Sequence, residues 1–169
     1  MFGDLERTKV IAYSAAFIGL IALGSWISVP VGSVPVTLQT LFILLAGVVL
    51  HRYGAITVFL YVLLGTLGLP LFHNGTAGPG VLLGPTGGYL IGFIAAAGVT
   101  GLAYESDSAA RRIAGLVAGI LLIYVFGVAW LMISLGIGLV AAIATGVLPF
   151  IVFDFIKAGA AYIIGQRIG

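Results

Sequence analysis

Charge in this 169-residue chain is confined almost entirely to the ends of long apolar stretches, and that arrangement limits it to one environment. Of the twelve charged residues, seven Lys or Arg and five Asp or Glu, ten flank such stretches. A soluble domain carries about 25% charged residues, against 7% here with 62% hydrophobic. Water cannot solvate such a surface, so the sequence predicts an integral membrane protein forming one domain, residues 1–169. The two exceptions are Asp154 and Lys157, inside the last apolar stretch, Val147 to Ile164. Three residues apart on a helix, they share a face. Intramembrane ions are expensive unless they meet a protein interior or a wet cavity. Their default reading is a polar ligand site, with a structural ion pair locking the last span as the alternative.

A bilayer core takes about 20 apolar residues as helix. Six spans are predicted: about Val10 to Val29, Thr37 to Leu50, Gly54 to Leu69, Thr86 to Tyr104, Ile113 to Met132, and from near Pro149 to Arg167. The first is read as a retained span, not a signal peptide, because no small-residue cleavage site follows a short core. Ile133 to Leu148 reads as a short interfacial helix. Arg7 and Lys9, Arg52, Arg111 and Arg112, and Arg167 then all fall on one side, and five or seven spans would scatter them. By the positive-inside rule both termini are cytoplasmic and the uncharged loops face outward. The basic residues are topology signals, and nucleic acid is not a partner. The expected architecture is therefore an all-α membrane protein of six transmembrane helices in the cell membrane. Loop 1 (Pro30 to Val36) and loop 3 (Pro70 to Pro85) are rich in Gly and Pro, and read as caps on an outward-facing pocket, since irregular backbone at membrane depth must be buried or line a cavity.

The polar residues toward the outer ends of these spans form a small set: Thr37, Gln39 and Thr40; His73, Asn74 and Thr76; Thr86 and Tyr89; Asp154 and Lys157. One anion, one cation and several neutral donors and acceptors suit a small polar molecule with an amide-like head and an acid group. Other chemistries find no residues. No GxxxxGK[ST] phosphate loop is present. There is no cysteine. His51 and His73 are expected on opposite sides, so no metal site is predicted. No nucleophile and base converge, so an enzyme is not expected. Small residues four apart, which let helices approach closely, occur at Gly88/Gly92, Gly115/Gly119 and Ala12/Ala16. The first two are explained by internal packing, while the last suits docking of a separate membrane protein.

The segments VPVTLQTL (Val34 to Leu41), GLPLF (Gly68 to Phe72), LGPTGGYLIGF (Leu83 to Phe93) and PFIVFDFIK (Pro149 to Lys157) resemble, in order and spacing, the BioY family. These are the biotin-specific substrate-binding (S) components of energy-coupling factor (ECF) transporters. The resemblance covers nearly the whole chain. It implies a biotin-capture subunit with no cofactor, biotin being the transported ligand. It also implies, as partners, a transmembrane coupling protein and two cytoplasmic ATPases, with Ala12 and Ala16 at the coupling interface. A biotin site follows from it at Asp154, Lys157, Gln39, Thr37, Asn74, Thr86, Gly88 and Tyr89. Asp154 would accept from the ureido N–H groups. Lys157 would donate to the ureido oxygen or neutralise the valerate carboxylate, and Gln39 and Asn74 could do either. Trp26, Val36, Leu71 and Tyr89 would wall the thiophane ring and chain. A stand-alone carrier needing no partners is the competing reading of the same pocket.

Overall fold

Helix dominates because a chain surrounded by hydrocarbon must satisfy its backbone within each segment. The computed structural model describes residues 2–168, and side chains from residue 7 onward. Its α-helices are α1 (Phe2–Trp26), α2 (Gln39–Leu50), α3 (Tyr53–Thr66), α4 (Pro79–Leu83), α5 (Gly87–Tyr104), α6 (Ala109–Leu135), α7 (Leu139–Gly146) and α8 (Ile151–Ile168). Three of them, α1 from Arg7 together with α5 and α6, are long and apolar enough to cross a membrane, and α7 with α8, bent by 52°, makes a fourth as a broken span. Large apolar side chains such as Ile11, Leu102, Val125, Ile133, Val152 and Ile156 point outward. In water that surface would be prohibitive; in lipid it is the required one.

The helices α2 and α3, at 12 and 14 residues, reach only about 18 and 21 Å at 1.5 Å per residue, short of a hydrocarbon core about 30 Å thick. Beyond the start of α2 and the end of α3 the chain is irregular. The first span, expected to reach Val29, ends as helix at Trp26, and loop 1 is framed by a two-stranded antiparallel ribbon absent from the all-α expectation, β1 (Ser28–Val29) and β2 (Val36–Thr37), with Ser28 opposite Thr37 and Val29 opposite Val36. The two strands pair across a turn made by the PVGSVP segment, whose Gly32 has φ +77°. Loop 3 contains a 3₁₀ turn (His73–Gly75) as well as α4. The short stretch expected between the fifth and sixth spans is α7, and the last helix starts two residues after Pro149.

The opposite end of the bundle gathers the charges. Arg52, between α2 and α3, forms a bidentate pair with Glu105, after α5, at 2.7 and 3.1 Å. The last turn of α8 lies there too, with Gly165 against Val48 and Tyr104. The start of α1 borders Tyr53 at the start of α3, and Ser14 and Thr57 are hydrogen-bonded at 2.8 Å. The Arg112 guanidinium lies over the Tyr104 ring, 5.3 Å from its centroid, so the four basic locations share one end.

At the centre, α5 packs against α6, α2 and α3. The approach to α6 depends on glycine from both sides. A Cβ on Gly88 would strike the Phe126 carbonyl and Trp130, one on Gly92 would lie 2.9 Å from Ile123 Cα, and one on Gly115 would strike Ala103. Two of the small-residue patterns in the sequence are thus the two faces of one seam. Ala12 and Ala16 are instead exposed on α1, and the neighbouring Gly19 has nothing within 4 Å of an added Cβ. We expect Gly92→Ala to push α5 and α6 apart at a cost of about 1–3 kcal/mol, and Gly19→Ala to be neutral or slightly stabilising. Thermal unfolding in detergent measures both, and equal midpoints would show that the seam is not in close contact.

Candidate functional site

A carboxylate and an ammonium one turn apart set the chemistry of the central cavity. Asp154 lies in the first turn of α8, where the helix dipole favours an anion. Its Oδ1 accepts from Lys157 Nζ at 2.8 Å, and the two side chains are only 5% and 9% exposed. The other oxygen, Oδ2, accepts from the Tyr124 hydroxyl at 2.8 Å. Among the described residues Lys157 makes this one hydrogen bond, which leaves two of its three donors for a ligand.

Both ions line a cavity among the helices, with about 590 Å³ of empty space when its open mouth is counted. Four groups of residues build it. Gln39 and Thr40 come from the start of α2, with Val34 and Pro35 from loop 1 and Thr37 from β2. Phe72, His73, Val81 and Thr86 come from loop 3 and the turn after it. Tyr89, Leu90 and Phe93 of α5 face Ile123 and Tyr124 of α6. Phe150, Asp154 and Lys157 close the remaining side. The result is an apolar, aromatic wall carrying a few polar groups, with the ion pair on one side and the Gln39 and Thr40 side chains of α2 among the rest.

Local packing orients these groups. The Tyr89 ring fits a slot left by Gly127 and Gly146, and its hydroxyl donates to the Gly146 carbonyl at 2.8 Å, so the ring rather than the hydroxyl faces the cavity. Thr37 Oγ1 accepts from the Gln39 backbone N–H at 3.2 Å. Gln39 Nε2 donates to the Tyr61 hydroxyl at 2.9 Å. His73 is half-buried, and burial holds its imidazole below the ordinary value, so it is neutral at physiological pH. Loop 3 is tied to the end of α1: Ser25 Oγ donates to the Leu71 carbonyl at 2.8 Å, Trp26 Nε1 to the Pro70 carbonyl at 3.1 Å, and Ser28 Oγ to Asn74 Oδ1 at 2.7 Å.

Of the residues singled out from sequence, Thr37, Gln39, Thr86, Tyr89, Asp154 and Lys157 meet in the cavity, together with Thr40 and His73. Asn74 and Gly88 do not. Asn74 is exposed and joins loop 3 to β1, while Gly88 belongs to the α5–α6 seam. The expected apolar wall differs as well. Only Tyr89 of the four named residues lines the cavity; Trp26 is half-exposed, and Leu71 contributes its carbonyl to the network behind Gln39. Tyr124 had not been foreseen. A tyrosine deep within an otherwise apolar span was the available signal, because a phenol O–H in hydrocarbon needs a partner.

A multi-pass helical membrane protein with a mostly apolar cavity that carries a buried ion pair belongs to the solute-binding and solute-moving class. The model of the BioY family matches residues 3–169. A biotin transporter BioY from Thermotoga maritima is 47% identical over 154 residues, 90% of each chain. A probable biotin transporter BioY from Pyrococcus horikoshii is 40% identical over 163 residues, 96% of this chain and 97% of its own. A crystal structure of the S-component for biotin from an ECF-type ABC transporter superposes with a TM-score of 0.88 at 29% identity, covering 98% of this chain and 93% of its own. The chain belongs to the BioY family, and its named relatives are transporters, not enzymes.

Removing one member of a buried ion pair strands the other charge, at about 3–5 kcal/mol. Lys157→Met should therefore lower the unfolding midpoint of the ligand-free protein sharply at pH 7, and adding Asp154→Asn should recover most of the loss. A double variant no more stable than Lys157→Met alone would mean that the two charges are not coupled.

Proposed function

We propose that the chain is the biotin-capture subunit of an ATP-driven vitamin uptake transporter of the energy-coupling factor type. The observation that carries this reading is the Asp154–Lys157–Tyr124 cluster inside the cavity, in a chain whose relatives are named biotin transporters. Biotin presents two ureido N–H donors, a ureido carbonyl, an apolar thiophane ring and a valerate carboxylate. In our reading Asp154 accepts from the ureido N–H groups through charge-assisted bonds. Lys157 donates to the ureido oxygen or pairs with the carboxylate. Thr37, Gln39, Thr40 and Thr86 supply neutral contacts, and Tyr89, Phe93, Ile123 and Phe150 enclose the ring and chain. Asn74 acts indirectly, as the clasp of loop 3, and Gly88 by letting α5 approach α6.

The topology follows the same reading. One domain crosses the cell membrane six times, α2 and α3 completing the count because loops 1 and 3 fill the outer half of their path. The end carrying Arg52, Arg111, Arg112 and Arg167 is cytoplasmic, as are both termini. Loops 1 and 3 cap a pocket that opens outward. The exposed Ala12 and Ala16 of α1 offer a smooth face to a transmembrane coupling protein, which links the chain to two cytoplasmic ATPases.

Calorimetric titration of the purified, ligand-free chain with biotin should give one-site binding. Asp154→Asn should weaken it by about 10- to 100-fold, since an amide presents a donor to donors and the loss of a charged hydrogen bond costs roughly 1.5–3 kcal/mol. Normal binding by a folded Asp154→Asn variant would mean that the ion pair is purely structural. In co-purification with the coupling protein and ATPases, Ala12→Trp should abolish assembly while leaving biotin affinity unchanged. Unimpaired assembly would remove this face of α1 from the interface.

A further inference from the structure

The cavity contains one group whose hydrogen-bonding sense is decided outside it. The Leu71 carbonyl can only accept, and it lies 2.7 Å from the Tyr61 hydroxyl oxygen. At that distance the phenol donates to the carbonyl, so the single Tyr61 proton is committed to Leu71. Toward Gln39, 2.9 Å away, the phenol oxygen can then only accept. Gln39 must turn its NH₂ group to Tyr61, and its Oε1 is left over. That oxygen has no partner among the described residues and is not sealed from solvent. Because the side chain is 94% buried by its 6% exposure and lines the cavity, the cavity is where Oε1 is reachable.

The arrangement is rigid. Tyr61 is fully buried and packs edge-on to Phe72, with ring centroids 5.8 Å apart. Ser25 Oγ also lies 2.8 Å from the Leu71 carbonyl, its one proton shared with the Ala22 carbonyl at 2.7 Å. An amide free in a cavity could offer either end to a ligand. This one cannot rotate without facing its carbonyl toward a phenol oxygen that has no proton to give.

We propose that Tyr61 is a positioning residue that fixes Gln39 as an acceptor, so that this side of the cavity selects ligands bringing an N–H to it. The inference rests on the biotin reading for the identity of the ligand, where it resolves which of two roles Gln39 plays. The N–H donor is then one of the two ureido groups, which leaves the other to Asp154, and a ligand with an acceptor or a methyl group facing Gln39 is excluded. Tyr61 touches no ligand in this account, since it does not line the cavity.

The test compares biotin with two analogues, each methylated on one ureido nitrogen, by calorimetry on the intact chain. Binding of biotin to the unaltered protein is measured first; its absence would defeat the biotin reading and not the role of Tyr61. Given binding, the protein should reject one of the analogues more strongly than Gln39→Met does, because only the former has an acceptor to lose. Tyr61→Phe frees the amide to turn. It should weaken biotin by about tenfold and narrow the gap between biotin and that analogue by a similar factor. Adding Tyr61→Phe to Gln39→Met should cost nothing more. A uniform loss for all three ligands, or an additive double variant, would reduce Tyr61 to a structural part and overturn the proposal. Should Tyr61→Phe fail to fold, Gln39→Met decides alone, since it leaves the Tyr61–Leu71–Ser25 contacts intact: unchanged discrimination there also overturns the proposal.

Discussion

The buried pair of Asp154 and Lys157 sets the terms for its surroundings. Two opposite charges three residues apart could have been placed at a helix end, where water would solvate them at little cost. Here they sit inside the bundle, and the fold answers the desolvation. The first turn of α8 contributes its dipole, Tyr124 reaches across from α6 to take the second carboxylate oxygen, and the broken connection between α7 and α8 brings that first turn into the interior. What remains unspent is donor capacity on Lys157. A pair designed only to lock a helix would have both partners saturated by protein. This one keeps a cation with free N–H bonds at the wall of a cavity.

The seam between α5 and α6 serves the same end by different means. Glycine on both helices brings the backbones close, so that the small-residue stretch holds the helices together while Tyr89, Phe93, Ile123 and Tyr124, on either side of the seam, are pressed toward the cavity. Close packing and cavity wall are one construction: the Tyr89 ring occupies the place of a side chain at Gly127, and the Tyr89 hydroxyl with Leu131 the place of one at Gly146. In a bilayer, where no hydrophobic effect drives helices together, such close contact is what makes the walls rigid.

Much of this was legible in the sequence because a membrane makes charge and hydropathy unusually informative. The main helices, their ends and the ion pair follow from where charge is tolerated, and the gathering of Arg52, Arg112 and Arg167 at one end follows from counting. The motif segments carried the family. What escaped was whatever depends on the path of irregular backbone or on which way a side chain turns. The ribbon of β1 and β2 came from a proline-rich stretch that carries no strand periodicity. Asn74 looked like a ligand group because it is polar and near the pocket, but its φ of +54° turns the loop so that it meets Ser28 instead. Tyr124 was hidden by its own span, whose hydropathy masks a single hydroxyl. Trp26 and Leu71 lie close to the site in sequence, yet the end of α1 and the root of loop 3 use their polar atoms on each other.

Loop 3 is fastened unequally along its length. Its root, Leu71, is gripped by Ser25 and Tyr61 behind the cavity wall, whereas farther along Asn74 holds only to Ser28 at the surface. Beyond Asn74 the chain passes through Gly75 and Gly78, both at positive φ, and is tied down again where the Gly78 N–H donates to the Gly65 carbonyl at 2.8 Å and Trp130 Nε1 to the Gly84 carbonyl at 2.8 Å. The Asn74–Ser28 tie between these anchors is exposed and worth only about 0.5–1.5 kcal/mol. The cover is thus a bridge pinned at both ends, weakest at its middle, and its first pier is the same carbonyl that anchors Tyr61.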